Sequence, residues 1–113
     1  MRTVFDTISD NAANAGVVSG VQKNDPQKFD LRRVGSIVMR NNEVEETGLG
    51  AGVLNDPITG IIWLVKRLSE YNQKISPGEI ILSGSFIRPI EARKGDEFYA
   101  DFGDFGFVEC KFN

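Results

Sequence analysis

The sequence predicts a β-rich α+β domain organised around one main helix. Residues 56–71 repeat apolar side chains at helical spacing. The segments 97–102 and 107–112 alternate apolar with polar residues, as half-buried strands do. Asn41 and Asn42 tolerate positive φ and separate two further short segments, so they suit a two-residue hairpin turn. A length of 113 residues is that of one ordinary domain.

The helix has the clearest start signal in the chain. Asn55 or Asp56 can cap its first turn, and Pro57 suits a position where a missing N–H costs nothing. We expect the helix to end near Tyr71. Its apolar side chains recur every three or four residues on one face, which we expect to be buried in the core: Ile58, Ile61, Ile62, Val65 and Leu68.

The remaining strands are predicted from shorter signals. Residues 31–39 and 43–47 flank the two asparagines as the strands of a hairpin, and the apolar run 80–82 indicates a buried strand. The glycine-rich segment 48–52 lacks the lysine of a P-loop and does not match the dinucleotide-binding fingerprint. We expect this segment to pack closely against neighbouring backbone.

Composition excludes several kinds of chemistry. The chain has no histidine and a single cysteine, Cys110, which excludes Ser-His-Asp and Cys-His catalysis, internal disulfides and a structural zinc site. The net charge of -3, without a basic stripe, argues against nucleic acid as a partner. No apolar run reaches membrane-spanning length, and no signal peptide is apparent. These features predict a cytoplasmic protein with no membrane partner.

Two short segments could carry chemistry, and each has a plainer interpretation. Glu43 and Glu45 share one face of the predicted strand, which suits either a paired-carboxylate metal site or a solvated face. Ser83-Gly84-Ser85 follows the apolar run and precedes Arg88. It suits either a strand that ends in a tight turn or a binding site for an anion such as a carboxylate.

Segments in order along nearly the whole chain resemble the C-terminal half of one enzyme family. This is the 2-keto-4-pentenoate hydratase / 2-oxohept-4-ene-1,7-dioate hydratase family of the fumarylacetoacetate hydrolase-like superfamily. The resemblance implies the mixed β fold of that superfamily with one main helix. The matching segments are residues 4–16, 30–32, 40–48, 51–57, 63–64, 80–86, 88–89, 93–96 and 100–103.

The resemblance implies a hydratase that adds water to a 2-hydroxy-2,4-dienoate or a 2-oxo-enedioate in the catabolism of aromatic compounds. Such enzymes hold Mg²⁺ or Mn²⁺ on carboxylates, and the metal acts as a Lewis acid on the substrate. The resemblance is greatest to the hydratases of the dioate. A 4-oxalocrotonate-type decarboxylase is the alternative activity, and a non-catalytic remnant or interaction module is the alternative class. A homo-oligomer is also implied.

Four residues match positions of the family's pocket. Asn11 lies in its polar segment, Ser83 and Ser85 match a turn that faces the substrate carboxylate, and Arg88 could neutralise a second carboxylate. The family's metal-binding glutamates and catalytic lysine lie in an N-terminal half that has no match here. The resemblance therefore implies that residues 1–113 are the C-terminal portion of a hydratase-like domain, inactive alone, and it assigns no catalytic or metal-binding residue to them.

Overall fold

The structure is a computed structural model that describes residues 15–113. Asn11, predicted to line a substrate pocket, lies outside the described residues. Within the described part of the chain, no helix is long and apolar enough to cross a membrane.

Four antiparallel strands form one sheet in the order β2-β1-β3-β4. The strands are β1 (Gly35–Arg40), β2 (Glu43–Leu49), β3 (Glu97–Asp101) and β4 (Phe107–Lys111). The predicted hairpin is confirmed, because Asn41 and Asn42 join β1 to β2 with φ of 52° and 68°. β1 begins later than predicted because the preceding residues form a turn, in which the Arg33 N–H donates to the Asp30 carbonyl at 2.9 Å.

The strands present one apolar face. The register aligns Val38, Ala100 and Val108 across three strands, and Phe98 with Cys110 across two. These five side chains are half-buried, as the alternation predicted, and Cys110 packs as a small apolar group. Together with Phe112, whose ring meets Phe98 edge-on at 5.6 Å, they are called the apolar face below.

The main helix, α1, spans Pro57–Ser69 and begins as predicted. The Asp56 carboxylate accepts a hydrogen bond from the Ile58 N–H at 3.0 Å, and Pro57 occupies the first turn. Such a cap contributes about 1 kcal/mol to helix stability. The helix ends slightly before the predicted residue 71, because Tyr71 N–H bonds back to the Leu68 carbonyl in a tighter turn.

The prediction that the apolar stripe of α1 forms the core is wrong. Ile61 and Leu68 are only half-buried, while Ile58, Ile62 and Val65 are exposed. The helix packs beside the 3₁₀ turn Gly50–Gly52 rather than across the sheet, so its stripe does not meet the apolar face. No apolar side chain among residues 15–113 is fully buried.

The strand predicted over residues 80–82 is also wrong. The segment pairs with no strand within the described residues, and Ile80 and Leu82 are 73% and 57% exposed. An apolar run becomes a strand only when a neighbouring chain accepts its backbone hydrogen bonds. The described sheet offers no such partner at this place.

The glycine-rich segment packs as closely as predicted. A Cβ on Gly48 would overlap the ring of Phe86, and a Cβ on Gly50 would overlap the carbonyl of Leu31. Glycine is required where another chain segment approaches the backbone this closely. The contact at Gly48 holds the segment after residue 81 against strand β2.

A hydrogen-bond network at the hairpin makes the stability of the fold depend on the ionisation of Asp96. The Asn41 side chain donates to the Asp96 carboxylate at 3.0 Å, and the Arg93 N–H donates to it at 2.9 Å. These bonds hold the pKa of Asp96 below its ordinary value of 3.8. Because folding lowers the pKa of Asp96, its ionised carboxylate stabilises the fold at pH values above the unfolded-state pKa. That contribution is lost as the pH falls through the folded-state pKa.

We therefore expect the Asn41→Gly substitution to raise the pKa of Asp96 towards 3.8, measured by NMR titration of the side-chain carboxyl carbon. Glycine keeps the positive φ of the turn, so the substitution removes only the side chain. Asn42→Gly in the same turn is the matched control and should leave the pKa unchanged. An unchanged pKa in Asn41→Gly would contradict this account.

Candidate functional site

A cleft of about 1150 Å³ lies between the apolar face of the sheet and the segment that covers it. Its floor is formed by Val38, Phe98, Cys110 and Phe112. Its wall is the irregular segment 81–92. The polar side chains on this wall are Ser83, Ser85 and Arg88, so three of the four predicted pocket residues come together.

The Ser83-Gly84-Ser85 turn presents two hydroxyls at the wall. Gly84 adopts φ of 86°, which a residue with a side chain rarely reaches, and both serines are exposed. The Ser85 hydroxyl oxygen accepts a hydrogen bond from the Ile87 N–H at 3.1 Å, which fixes the side chain. Its hydroxyl hydrogen can still be donated to an acceptor such as a carboxylate.

Arg88 supplies the positive charge of the site. Its Nε donates to the carboxylate of Glu46 on β2. The side chain of Arg88 is 65% exposed and that of Glu46 is 24% exposed. Within residues 15–113 the terminal guanidinium nitrogens of Arg88 form no hydrogen bond, and they can bind a carboxylate by two parallel bonds. The ion pair therefore anchors the wall to β2 without using all the donors of Arg88.

A second arginine anchors the far end of the wall. Arg40 forms an ion pair with Glu45 at 2.8 Å, and it also donates to the carbonyl of Glu91 at 3.3 Å. Sequence reasoning assigned roles to neither Arg40 nor Glu46, because the wall residues that they contact, Glu91 and Arg88, lie 51 and 42 residues away along the chain. The adjacent pair Glu45-Glu46 does interrupt the alternation of β2, and this interruption was the available signal.

That interruption is a β-bulge. Val38 pairs with Glu46 and Met39 pairs with Val44, so Glu45 is the extra residue of β2. The Glu45 carboxylate is engaged by Arg40 at 2.8 Å, so it is not free to form a paired-carboxylate site with Glu43. Within residues 15–113 no group of three potential ligands lies close enough to hold a metal ion. The described residues do not fit the family's metal.

The geometry supports binding more than bond making. Two hydroxyls and a guanidinium beside an apolar floor can hold an anionic ligand and keep water from its carbon chain. The carboxylate of Glu46, beside the wall, is already engaged by Arg88. The described wall is therefore better suited to holding an anion than to breaking a bond.

The sequence of the chain is similar to hydratases that act on small 2-oxo acids, as their names state. The chain is 51% identical over 111 residues to 2-oxo-hept-4-ene-1,7-dioate hydratase of Escherichia coli. It is 33% identical over 107 residues to 2-keto-4-pentenoate hydratase of Paraburkholderia xenovorans. These matches cover 98% and 95% of the chain. Over almost its whole length the chain is therefore similar to part of these hydratases.

A solved structure of a related enzyme has a similar fold. The 4-oxalocrotonate decarboxylase of Pseudomonas putida G7, complexed with calcium and acetate, aligns with a TM-score of 0.86 at 28% identity over 96% of the chain. The same enzyme has also been solved with magnesium and adipate. The predicted α+β class is thereby confirmed. No family model matches the sequence.

The hydratase relatives are much longer than the region they share with this chain. The chain spans 42% of the Escherichia coli hydratase, 40% of the Paraburkholderia hydratase and 42% of the solved decarboxylase. Similarity over this shared region does not by itself assign the activity of the whole enzymes to the chain.

The exposure of the Arg88–Glu46 pair predicts a weak interaction. Ion pairs that reach solvent contribute about 0.2–1 kcal/mol, and salt screens them. We expect a double-mutant cycle with Arg88→Gln and Glu46→Gln, measured by urea unfolding, to give a coupling energy in that range that falls with added salt. A coupling energy above about 2 kcal/mol would show a structural role that leaves Arg88 unable to change partners.

Proposed function

We propose that this chain provides the substrate-binding wall of a divalent-metal-dependent hydratase, which adds water to a 2-hydroxy-2,4-dienoate of the 2-oxohept-4-ene-1,7-dioate type. The observation that carries the proposal is the convergence of Ser83, Ser85 and Arg88 on one cleft wall. The 51% identity to the dioate hydratase supports the same substrate class. Reactions of this kind belong to the catabolism of aromatic compounds, and we infer a cytoplasmic location for them.

The wall can distinguish the two ends of a dicarboxylate. The hydroxyls of Ser83 and Ser85 donate to one carboxylate, while the terminal guanidinium nitrogens of Arg88 donate to the other. The apolar floor contacts the carbon chain between them. Binding of adipate, a dicarboxylate, by the structurally similar decarboxylase is consistent with such a cleft.

We place the metal and the proton-transfer groups outside the described residues. The solved relatives hold calcium or magnesium, and we propose Mg²⁺ or Mn²⁺ for the complete enzyme. Since the described carboxylates do not form a ligand set, the chain corresponds in our proposal to the C-terminal portion, and the N-terminal portion brings the metal ligands. The metal would supply Lewis-acid chemistry to the substrate.

A decarboxylase is the second candidate. The fold aligns with a 4-oxalocrotonate decarboxylase at a TM-score of 0.86, and a decarboxylase of Pseudomonas putida is 31% identical in sequence. Both reactions begin with an anionic 2-oxo acid bound in a similar cleft. Release of carbon dioxide, rather than hydration of the double bond, would identify this candidate.

We expect the purified chain alone to give no turnover of a 2-hydroxy-2,4-dienoate with Mg²⁺ or Mn²⁺, measured as loss of the absorbance of the conjugated system. The test of function itself is a chimera in which this chain replaces its matching region of the Escherichia coli hydratase. We expect metal-dependent hydration without release of carbon dioxide. Turnover by the isolated chain, or a folded chimera without hydration, would contradict the proposal.

Within this chimera, Arg88→Gln should lower kcat/KM more for the dioate than for a dienoate with a single carboxylate. Removing a charge-assisted hydrogen bond costs about 1.5–3 kcal/mol, which lowers kcat/KM for the dioate by roughly ten- to a hundredfold. A dienoate with a single carboxylate should change by less than about threefold, because it makes no second ion pair. Arg67→Gln on α1, outside the cleft, is the matched control.

We further propose that the complete protein is a homo-oligomer and that the chain alone self-associates. Apolar side chains exposed on α1 and on residues 80–82 promote association in water. Sedimentation velocity should show species larger than a monomer, whose proportion rises with protein concentration. A clean monomer that unfolds cooperatively would contradict this expectation.

A further inference from the structure

Another cavity lies outside the site described above, beside the turn from β3 to β4. Its volume is about 300 Å³, and it is called the phenyl cavity below. No charged side chain of residues 15–113 lines it, which distinguishes it from the cleft beside Arg88. The residues that line it include three phenylalanines, several aliphatic residues and an amide: Phe86, Phe102, Phe105, Leu31, Val34 and Gln22.

One wall of the phenyl cavity is held in place by side-chain amides. The Gln22 Nε2 donates to the Asn24 Oδ1 at 2.8 Å and to the Asp104 carbonyl at 2.9 Å. The Asn24 Nδ2 donates to the Phe105 carbonyl at 2.6 Å. These bonds fasten the loop before β1 to the turn between β3 and β4. This wall is therefore formed before any ligand binds, as is usual for small-molecule sites.

A second wall of the phenyl cavity is held by close backbone contacts. The Gly50 N–H donates to the Val34 carbonyl at 2.8 Å, and a Cβ on Gly50 would overlap the carbonyl of Leu31. Phe86, which packs against Gly48, lines the same cavity. A ligand that enters a cavity with fixed walls orders few further groups, so little conformational entropy is lost on binding.

The orientation of the Gln22 amide leaves one hydrogen-bond acceptor at the cavity. Both partners of Nε2 are oxygen atoms, so the nitrogen faces them and Oε1 is the other atom of the amide. A Cβ on Gly106, another lining residue, would lie 3.2 Å from this Oε1. Within residues 15–113 no donor bonds to Oε1. The cavity therefore offers an acceptor to a ligand, without a charge.

We propose that the phenyl cavity binds a small uncharged aromatic molecule whose hydroxyl group donates to Gln22, that is, a phenol. An apolar cavity of about 150 Å³ can hold benzene, so about 300 Å³ admits one ring with small substituents. Phenylalanine rings pair favourably with an aromatic ligand, and a charged ligand would lose its hydration without gaining a partner. The proposal goes beyond the hydration activity, because binding at this cavity needs no turnover.

The test is a titration of the full chain with 4-fluorophenol, followed by fluorine NMR, with folding checked by circular dichroism. We expect saturable binding with a Kd of roughly 0.1–5 mM, the range for so small a ligand. 4-Fluoroanisole keeps the ring and the oxygen but has no hydroxyl hydrogen to donate. It should therefore bind about two- to tenfold more weakly.

Val34→Phe should lower the affinity for 4-fluorophenol at least about tenfold, because the added ring occupies the cavity. Val44→Phe is the matched control, since it makes the same change on β2 at a position that is 62% exposed and does not line the cavity. The control should leave the Kd within about twofold. If Val34→Phe fails to fold, Leu31→Phe narrows the same cavity by a smaller volume and should weaken binding at least about threefold.

A second probe, 4-fluorobenzoate, separates the phenyl cavity from the carboxylate cleft. Its binding should respond to Arg88→Gln and not to Val34→Phe, while binding of 4-fluorophenol should show the reverse. Failure of the benzoate alone would contradict the proposed function and leave the phenyl cavity standing. Three results would overturn the present proposal: no saturable binding of 4-fluorophenol to the folded chain, equal affinities in Val34→Phe and Val44→Phe, or 4-fluoroanisole binding as tightly as 4-fluorophenol.

Discussion

A single irregular segment, residues 81–92, covers the apolar face of the sheet, and the site depends on how it is held. Phe86 packs against Gly48, where no side chain could be accommodated. The ion pair from Arg88 to Glu46 adds a second attachment. Arg40 binds the carbonyl of Glu91 at the far end. The cleft is the space that these attachments leave between the segment and the sheet, so the binding wall and the cover of the sheet are the same piece of chain.

The same arrangement limits the stability of the isolated chain. Burial of apolar area is the dominant favourable contribution to folding, yet none of residues 15–113 buries an apolar side chain fully. A helix of 13 residues is marginal in water without tertiary packing, even with the cap from Asp56. The side of α1 that carries Ile62 has no such packing within the described residues. The stability of the described fold therefore rests on half-buried contacts and on the hydrogen bonds of the sheet.

The sequence allowed correct prediction of the features that are encoded locally. The Asn41-Asn42 turn, the Asp56 cap and the alternation of β3 and β4 depend on neighbouring residues, and each appears in the structure. The strand over residues 80–82 was predicted wrongly because a strand needs a partner, which a local pattern does not reveal. The stripe of α1 was wrongly assigned to the core for the same reason.

The candidate site shows the same division between local and distant information. The resemblance to the hydratases singled out Ser83, Ser85 and Arg88, and the fold brings them to one wall. Their arrangement also depends on Glu46, which lies 42 residues before Arg88 in the chain. Glu46 also directly follows the bulge at Glu45, where the register of β2 against β1 shifts. A single pattern of alternating residues carries no information about a contact over this distance.

The binding wall and the exposed helix are physically connected. Leu82 faces the half-buried side of α1 across a small cleft, and Ser83 follows it directly on the cleft wall. Any polypeptide that fixes α1 from its exposed side therefore also restricts the segment on which the serine hydroxyls stand. A fixed wall loses less conformational entropy when a ligand binds, which raises affinity without adding a contact. Self-association through the helix and binding of a carboxylate in the cleft are thus expected to favour each other, because both restrict the same segment.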